Sequence, residues 1–265
     1  MLKTLLLTGA AGGVGKAIRP LLSDLAERVV LSDIAEISDL GPRETFIRCD
    51  LADAAAVATM MEGVDGVIHL GGVSVERPFD QILQGNIVGL YNLYEAARHN
   101  GQPRIVFASS NHVVGYYRRD EHIDALVPPK PDSLYGVSKV FGEAVASMYF
   151  SKFGQETLSV RIGSCFEKPA NPRMLATWLS IRDFLALCGR AFAAPRLGHT
   201  VVYGASANDE QWWDNRHAAF LGWSPKDSSS KWRAEVEEAT GTQDPNDPAV
   251  IYQGGAFASA GHPDD

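Results

Sequence analysis

A doubly wound α/β fold, a parallel sheet with helices on both faces and a small C-terminal substrate lobe, follows from three observations in this sequence. Short apolar runs alternate with helical patterns from Leu5 to about Ile162, an order that calls for parallel strands joined by crossover helices. The first run, Leu5-Leu6-Leu7-Thr8, passes straight into a glycine-rich turn, Gly9-Ala10-Ala11-Gly12-Gly13-Val14-Gly15. The second, Arg28 to Ser32, ends in an acid, Asp33.

Each element has its own reason. Gly9, Gly12 and Gly15 follow a G-x-x-G-x-x-G spacing between a strand and a helical pattern from Lys16 to about Glu27. That order aims backbone N–H groups and the positive helix end at a pyrophosphate, in the Rossmann manner. Asp33 is placed to accept hydrogen bonds from an adenosine ribose and to repel a 2'-phosphate, which favours NAD over NADP. Phe46 to Cys49 reads as the third strand, leading to Asp50 and Leu51 at the adenine edge, and Asp53 caps a helix over Ala54 to Met61. Gly66 to Leu70 is a fourth, buried strand in which His69 is a packing residue, and Gly71-Gly72-Val73-Ser74 is a second close-approach turn.

Asn86 to Asn100 reads as a long helix with Ile87, Leu90, Tyr91 and Tyr94 as its core-facing stripe. The fifth strand, Arg104 to Ala108, runs into Ser109-Ser110-Asn111-His112, just past a strand's carboxyl end, where a parallel sheet opens its ligand crevice. Leu158 to Ile162 is a sixth strand leading to Gly163-Ser164-Cys165. Beyond it come an apolar segment from Arg173 to Leu179, a strand from Val201 to Tyr203, a helix around Asn215 to Leu221, a charged helix end at Glu235 to Thr242, and a mobile end from Ala258 to Asp265.

The chain has 265 residues, 45% hydrophobic and 21% charged, enough for one sizeable core. Its net charge of -8 argues against nucleic acid or an anionic membrane as partner, so an anionic small substrate needs a local positive group. Cys49, Cys165 and Cys188 are too few and too scattered for a disulfide framework or a metal cluster, and read as reduced thiols. No apolar run is long enough for a membrane span or a signal peptide, so a cytoplasmic protein is expected.

The densest chemistry is Tyr135 with Lys139 four residues later, on one face of a helix starting near Ser133. A fixed ammonium favours a phenolate and lowers the phenol's pKa, which would make the pair a proton acceptor. Taken with the glycine turn, Asp33 and Ser110, the pair resembles the short-chain dehydrogenase/reductase superfamily in its extended branch. His69 to Phe79, Gln81 to Arg98, Phe107 to Tyr117, Val160 to Cys165, Arg173 to Trp178 and Gly204 to Asn215 resemble, within it, NAD-dependent enzymes that oxidise a hexuronic acid at the anomeric carbon to an aldarolactone. Gly13-Val14 departs from that pattern, where the position is bulkier.

The resemblance implies Tyr135, Lys139 and Ser110 as catalytic residues. It implies NAD contacts from Gly9, Gly12, Gly13, Val14, Gly15, Asp33, Asp50, Leu51, Leu70, Gly71, Gly72, Tyr135, Lys139 and Cys165. It implies a substrate set of Ser74, Ser110, Asn111, His112, Tyr135, Ser164 and Arg173, with no metal. Arg173 is the group for a sugar carboxylate, since a guanidinium grips one with two parallel hydrogen bonds. Residues 1–165 then form the NAD-binding unit with the catalytic residues, and 166–265 the remaining sheet elements, substrate lobe and tail. A homo-oligomer is expected, with the helices from Asn86 and Ser138 available to pair. The competing reading is a nucleotide-sugar epimerase or reductase on the same fold. A catalytically idle NAD sensor is a third, disfavoured by the intact Tyr135, Lys139 and Ser110.

Overall fold

Leu5, Leu6 and Leu7 are wholly buried, yet they serve two different cores, because successive side chains of a strand point to opposite faces. Leu5 and Leu7 pack with Val106, Leu158, Phe184 and Leu187 on one side of the sheet. Leu6 packs with Val67, Phe107, Leu93, Tyr94 and Tyr149 on the other. Helices therefore cover both faces. The computed structural model describes residues 1–263; the part of the expected mobile end at 264–265 lies outside the described residues.

The strands are β1 (Leu2–Thr8), β2 (Ala26–Asp33), β3 (Glu44–Arg48), β4 (Gly66–His69), β5 (Arg104–Ser110), β6 (Ile123–Asp124), β7 (Thr157–Ile162), β8 (His199–Gly204) and β9 (Trp213–Asp214). Seven form one sheet in the order β3-β2-β1-β4-β5-β7-β8, all pairs parallel. The order reverses between β1 and β4, which opens the crevice at their carboxyl ends. β6 and β9 pair separately as a short parallel ribbon. The helices are α1 (Gly13–Ile18), α2 (Ala54–Met60), α3 (Phe79–Ile82), α4 (Gly89–His99), α5 (Leu134–Phe153), α6 (Pro172–Thr177), α7 (Ile181–Ala193), α8 (Arg233–Thr240), α9 (Pro248–Ile251) and α10 (Ala256–Ser259).

Two helices and one side chain differ from the sequence reading. The first helix stops at Ile18 and continues as a 3-10 turn over Arg19–Asp24, because Pro20 has no N–H and its ring crowds the carbonyl four residues back. The helix expected from Asn86 begins at Phe79 and passes through a π-helical turn, Leu83–Val88. Tyr91 is half-exposed, outside the stripe that buries Leu90 and Tyr94. His69 is a packing residue as read: it is buried, its Nδ1 lies 2.7 Å from Thr8 Oγ1, and burial holds its pKa down at about 3.

The C-terminal stretch is also built into the fold as far as it is described. Tyr252 bridges to Arg118, and Gln253 is fully buried. α10 then carries Phe257 back over the carboxyl end of β5, where its ring stacks on His112 at 3.9 Å.

Candidate active site

The glycine turn is shaped by close approach. Gly9 has φ +70°, and a Cβ there would stand 2.6 Å from the Leu70 carbonyl carbon; one on Gly15 would stand 2.3 Å from Gly9 O. Both positions need glycine, while a Cβ on Gly13 meets nothing within 4 Å, so a bulkier residue at that departure fits without a clash. Gly12, the N-cap of α1, has no side chain to accept from the first amides of the helix. The helix therefore keeps amide donors available to an outside acceptor. Asp33 accepts from the Ala11 and Ala35 N–H groups, one to each oxygen, which fixes the carboxylate beside the turn and leaves a lone pair on each oxygen. Across the crevice, Gly71 donates to Thr8 Oγ1 and packs its α-carbon against Leu51, while the exposed Asp50 holds its own turn through Ala52 N. A cradle of glycines with a fixed acid at the next strand end fits a dinucleotide.

Tyr135 lies in the first turn of α5, a helix built to start where it does. Ser133 caps it by accepting from Gly136 N at 2.9 Å. Glu76 adds a second cap, with one carboxylate oxygen accepting from Leu134 N at 3.0 Å and the other from Tyr135 N at 2.8 Å. One turn on, Ser138 Oγ donates to Tyr135 O and accepts from Asn86 Nδ2, and Asn86 also holds both backbone groups of Val73. The π turn thus ties the Gly71–Ser74 turn to α5. Ser74 itself lies exposed on that turn.

Lys139 is buried beneath, its Nζ donating to Ala108 O at 2.8 Å and lying 5.4 Å from the Tyr135 ring centre. Burial drives its pKa down to about 8. The expected effect on the phenol is reversed in the protein alone. Burial pushes Tyr135 up to about 12, the Ser110 hydroxyl pulls it part of the way back, and Asp132 pushes it up again. Desolvation is the largest of these influences.

Ser110 closes β5, where its hydroxyl accepts from His112 N. His112 Nδ1 is held at 2.8 Å by Asp132, whose side chain is wholly buried, and the imidazole lies edge-on to Tyr135, 5.8 Å between centres. Burial lowers the His112 pKa against the raising effect of Asp132. Asn111 is buried with neither amide atom partnered.

Arg173 enters from the first turn of α6. Its Nε donates to Gln253 O at 2.6 Å and its Nη1 to Ser164 Oγ at 3.3 Å, whereas Nη2 is buried without a partner. Burial, with Arg119 nearby and Asp132 opposing, brings its pKa down to about 10. Ser164 spends its hydroxyl on Thr177 and Arg173. Cys165 is a buried thiol pushed up to about 12 by desolvation, so it is a wall and not a nucleophile. Buried polar atoms without partners call for an explanation. Here the Asn111 amide and Arg173 Nη2 have the donors and acceptor that a small, oxygen-rich anion requires.

Glu76, Asn86, Asp132, Gln253 and Phe257 were missed from sequence. Glu76 acts on amides 58 and 59 positions away, a link no local spacing carries. Asp132 alone left a trace, since it directly precedes the cap Ser133. Among the described residues no group of three His, Cys, Asp or Glu is placed to hold a metal ion.

The chain belongs to the NAD dependent epimerase/dehydratase family, whose sequence model matches residues 5–180. It is 58% identical to the uronate dehydrogenase of Agrobacterium fabrum (strain C58), over 97% of each chain. Among solved structures, the glucuronic acid dehydrogenase of Chromohalobacter salexigens superposes with a TM-score of 0.99 at 64% identity, covering 100% of both chains. A mutant of the Agrobacterium tumefaciens uronate dehydrogenase, solved in complex with NAD, superposes at 0.96 with 57% identity and 98% coverage of each chain. Within its family, the chain falls among the uronate dehydrogenases.

Proposed function

We propose that this protein oxidises a hexuronic acid, D-glucuronate or D-galacturonate, at the anomeric carbon to the aldarolactone. The observation that carries this reading is Arg173, a buried guanidinium with a free Nη2 whose charge is felt at His112, the ring edge-on to Tyr135 and next in sequence to the unpartnered Asn111 amide. NAD, when bound, supplies the acceptor for the hydride that leaves the anomeric carbon. We assign its hold to the turn Gly9, Gly12, Gly13, Val14 and Gly15, to Asp33, Asp50 and Leu51, to Leu70, Gly71 and Gly72, and to Lys139 and Cys165.

Tyr135 takes the proton of the anomeric hydroxyl, and Ser110 hydrogen-bonds the same oxygen. Tyr135 accepts that proton as the phenolate, so its own proton leaves to solvent beforehand; burial opposes that form, and the Lys139 ammonium beneath the ring favours it. Arg173 clamps the carboxylate. Asn111, His112 through the ring nitrogen that Asp132 leaves free, and Ser74 read the ring oxygens, with Ser164 left only a lone pair to accept from a sugar hydroxyl. The lactone opens afterwards in water.

In this reading residues 1–165 bind NAD and carry the catalysis, while 166–265 complete the sheet and hold the sugar. We further place the protein in the cytoplasm, consistent with three buried free thiols, and read it as a homo-oligomer, supported by the exposed Tyr91 on α4 and Val137 and Met148 on α5. No helix among the described residues is long and apolar enough to cross a membrane. Absorbance of reduced nicotinamide, followed with NAD and a panel of uronic acids and neutral sugars, tests the function. Turnover confined to the uronic acids is expected, and none with either uronic acid would overturn the reading.

A further inference from the structure

Arg173 can grip a carboxylate only if its guanidinium is held in one orientation, and the residue that holds it is outside its own helix. Its Nε is taken by a backbone carbonyl, that of Gln253. Gln253 is 0% exposed, and every polar group of its side chain is used within the fold. Oε1 accepts from Trp213 Nε1 at 2.8 Å, and Nε2 donates to Arg118 O and Glu121 O at 2.9 and 3.0 Å. Its own N–H donates to Tyr117 O. A glutamine so fully bonded fixes the position of its carbonyl as well as a regular sheet would.

The residues that follow leave no slack. Gly254 passes so close to Asp132 that a Cβ would stand 1.9 Å from Oδ2, and at Gly255, φ +65°, a Cβ would stand 2.5 Å from Arg173 Cδ. The chain is thus threaded between the carboxylate that holds His112 and the stem of the arginine.

We propose that Gln253 is a positioning residue for the reaction: anchored in the β6–β9 ribbon through Trp213, it sets its carbonyl to hold Arg173 Nε, which turns the Nη edge of the guanidinium toward the substrate carboxylate. This rests on the uronate reading above. Gln253 touches neither substrate nor reacting atoms; it acts through Arg173.

The test is a double-mutant cycle of Gln253→Met and Arg173→Ala, with KM and kcat for glucuronate and the Kd for NAD measured for each protein. Gln253→Met in the wild-type background should raise KM for glucuronate at least about tenfold, with kcat changed less and the NAD Kd within about twofold. In the Arg173→Ala background it should change kcat/KM by less than about twofold, because the residue it acts through is gone. An equal loss in both backgrounds, or an unaltered KM in the wild-type background, overturns the proposal. Should Gln253→Met fail to fold, Trp213→Phe, which removes one anchor and keeps the glutamine, takes its place with the same expected pattern at smaller size. Wild-type turnover of glucuronate is measured first: its absence overturns the uronate reading itself, whereas intact turnover with additive losses overturns only the role of Gln253.

Discussion

Replacing Arg173 with methionine separates what the guanidinium does for binding from what it costs the fold. Burial brings its pKa down to about 10 from the ordinary arginine value. At about 1.4 kcal/mol per pH unit, keeping it charged in that site costs on the order of 3 kcal/mol in the free protein. The folded value lies below the unfolded one, so this penalty is present in full below pH 10 and is relieved only above it. Methionine removes the penalty but forfeits two hydrogen bonds from a charged donor, to Gln253 O and Ser164 Oγ, worth about 1.5–3 kcal/mol each. The net loss in unfolding free energy at neutral pH should therefore fall between about 0 and 3 kcal/mol. Binding should suffer far more. Losing the charged partner of a buried carboxylate costs about 2–5 kcal/mol, a fall in kcat/KM of roughly thirtyfold to several thousandfold. Urea unfolding and steady-state kinetics with glucuronate give both numbers on one preparation. A variant that is destabilised by well over about 3 kcal/mol yet keeps its wild-type kcat/KM would refute the reasoning, because Arg173 would then be a structural residue.

Tyr135→Phe should cost about 100- to 10,000-fold in kcat, the usual range for a lost acid-base group, with the melting temperature unchanged. Lys139→Met should be more stable than the wild type at pH 7, because the buried ammonium is a liability below its folded pKa of about 8. That advantage should shrink as the pH rises from 8 into the ordinary lysine range, where the wild type sheds the charge, and a melting series against pH checks the sign. Asp33→Ser should raise kcat/KM with NADP by about tenfold or more and lower it with NAD, read from initial rates with each cofactor.

The sheet was legible because its signals are local. Leu5 to Leu7, Val67 to Ile68 and Ile105 to Ala108 are apolar runs, as expected of parallel strands buried on both faces. The glycine turn and Asp33 were legible for the same reason: a close approach between backbones leaves no residue but glycine at Gly9 and Gly15. The site was legible only where chain neighbours supply it. Ser110, Asn111 and His112 come together because one strand ends there, and Tyr135 with Lys139 because one helix turns once between them. Glu76, Asp132 and Gln253 reach the site across sequence separations that no periodicity encodes. The cation beside Tyr135 is visible in sequence, whereas the depth of burial that raises the phenol's pKa is not. The end from Ala258 reads as mobile because its residues are small and polar, yet its first two close α10, directly after Phe257, which stacks on His112.

The central claim is that Tyr135 takes the anomeric proton as hydride leaves the same carbon for good. Glucuronate carrying deuterium on its anomeric carbon tests it in one incubation with NAD. Mass analysis should find the label on the reduced nicotinamide and absent from the lactone, and Tyr135→Phe should accumulate that label at a small fraction of the wild-type rate. Label retained in the sugar, or an equal rate from the phenylalanine variant, would contradict the account.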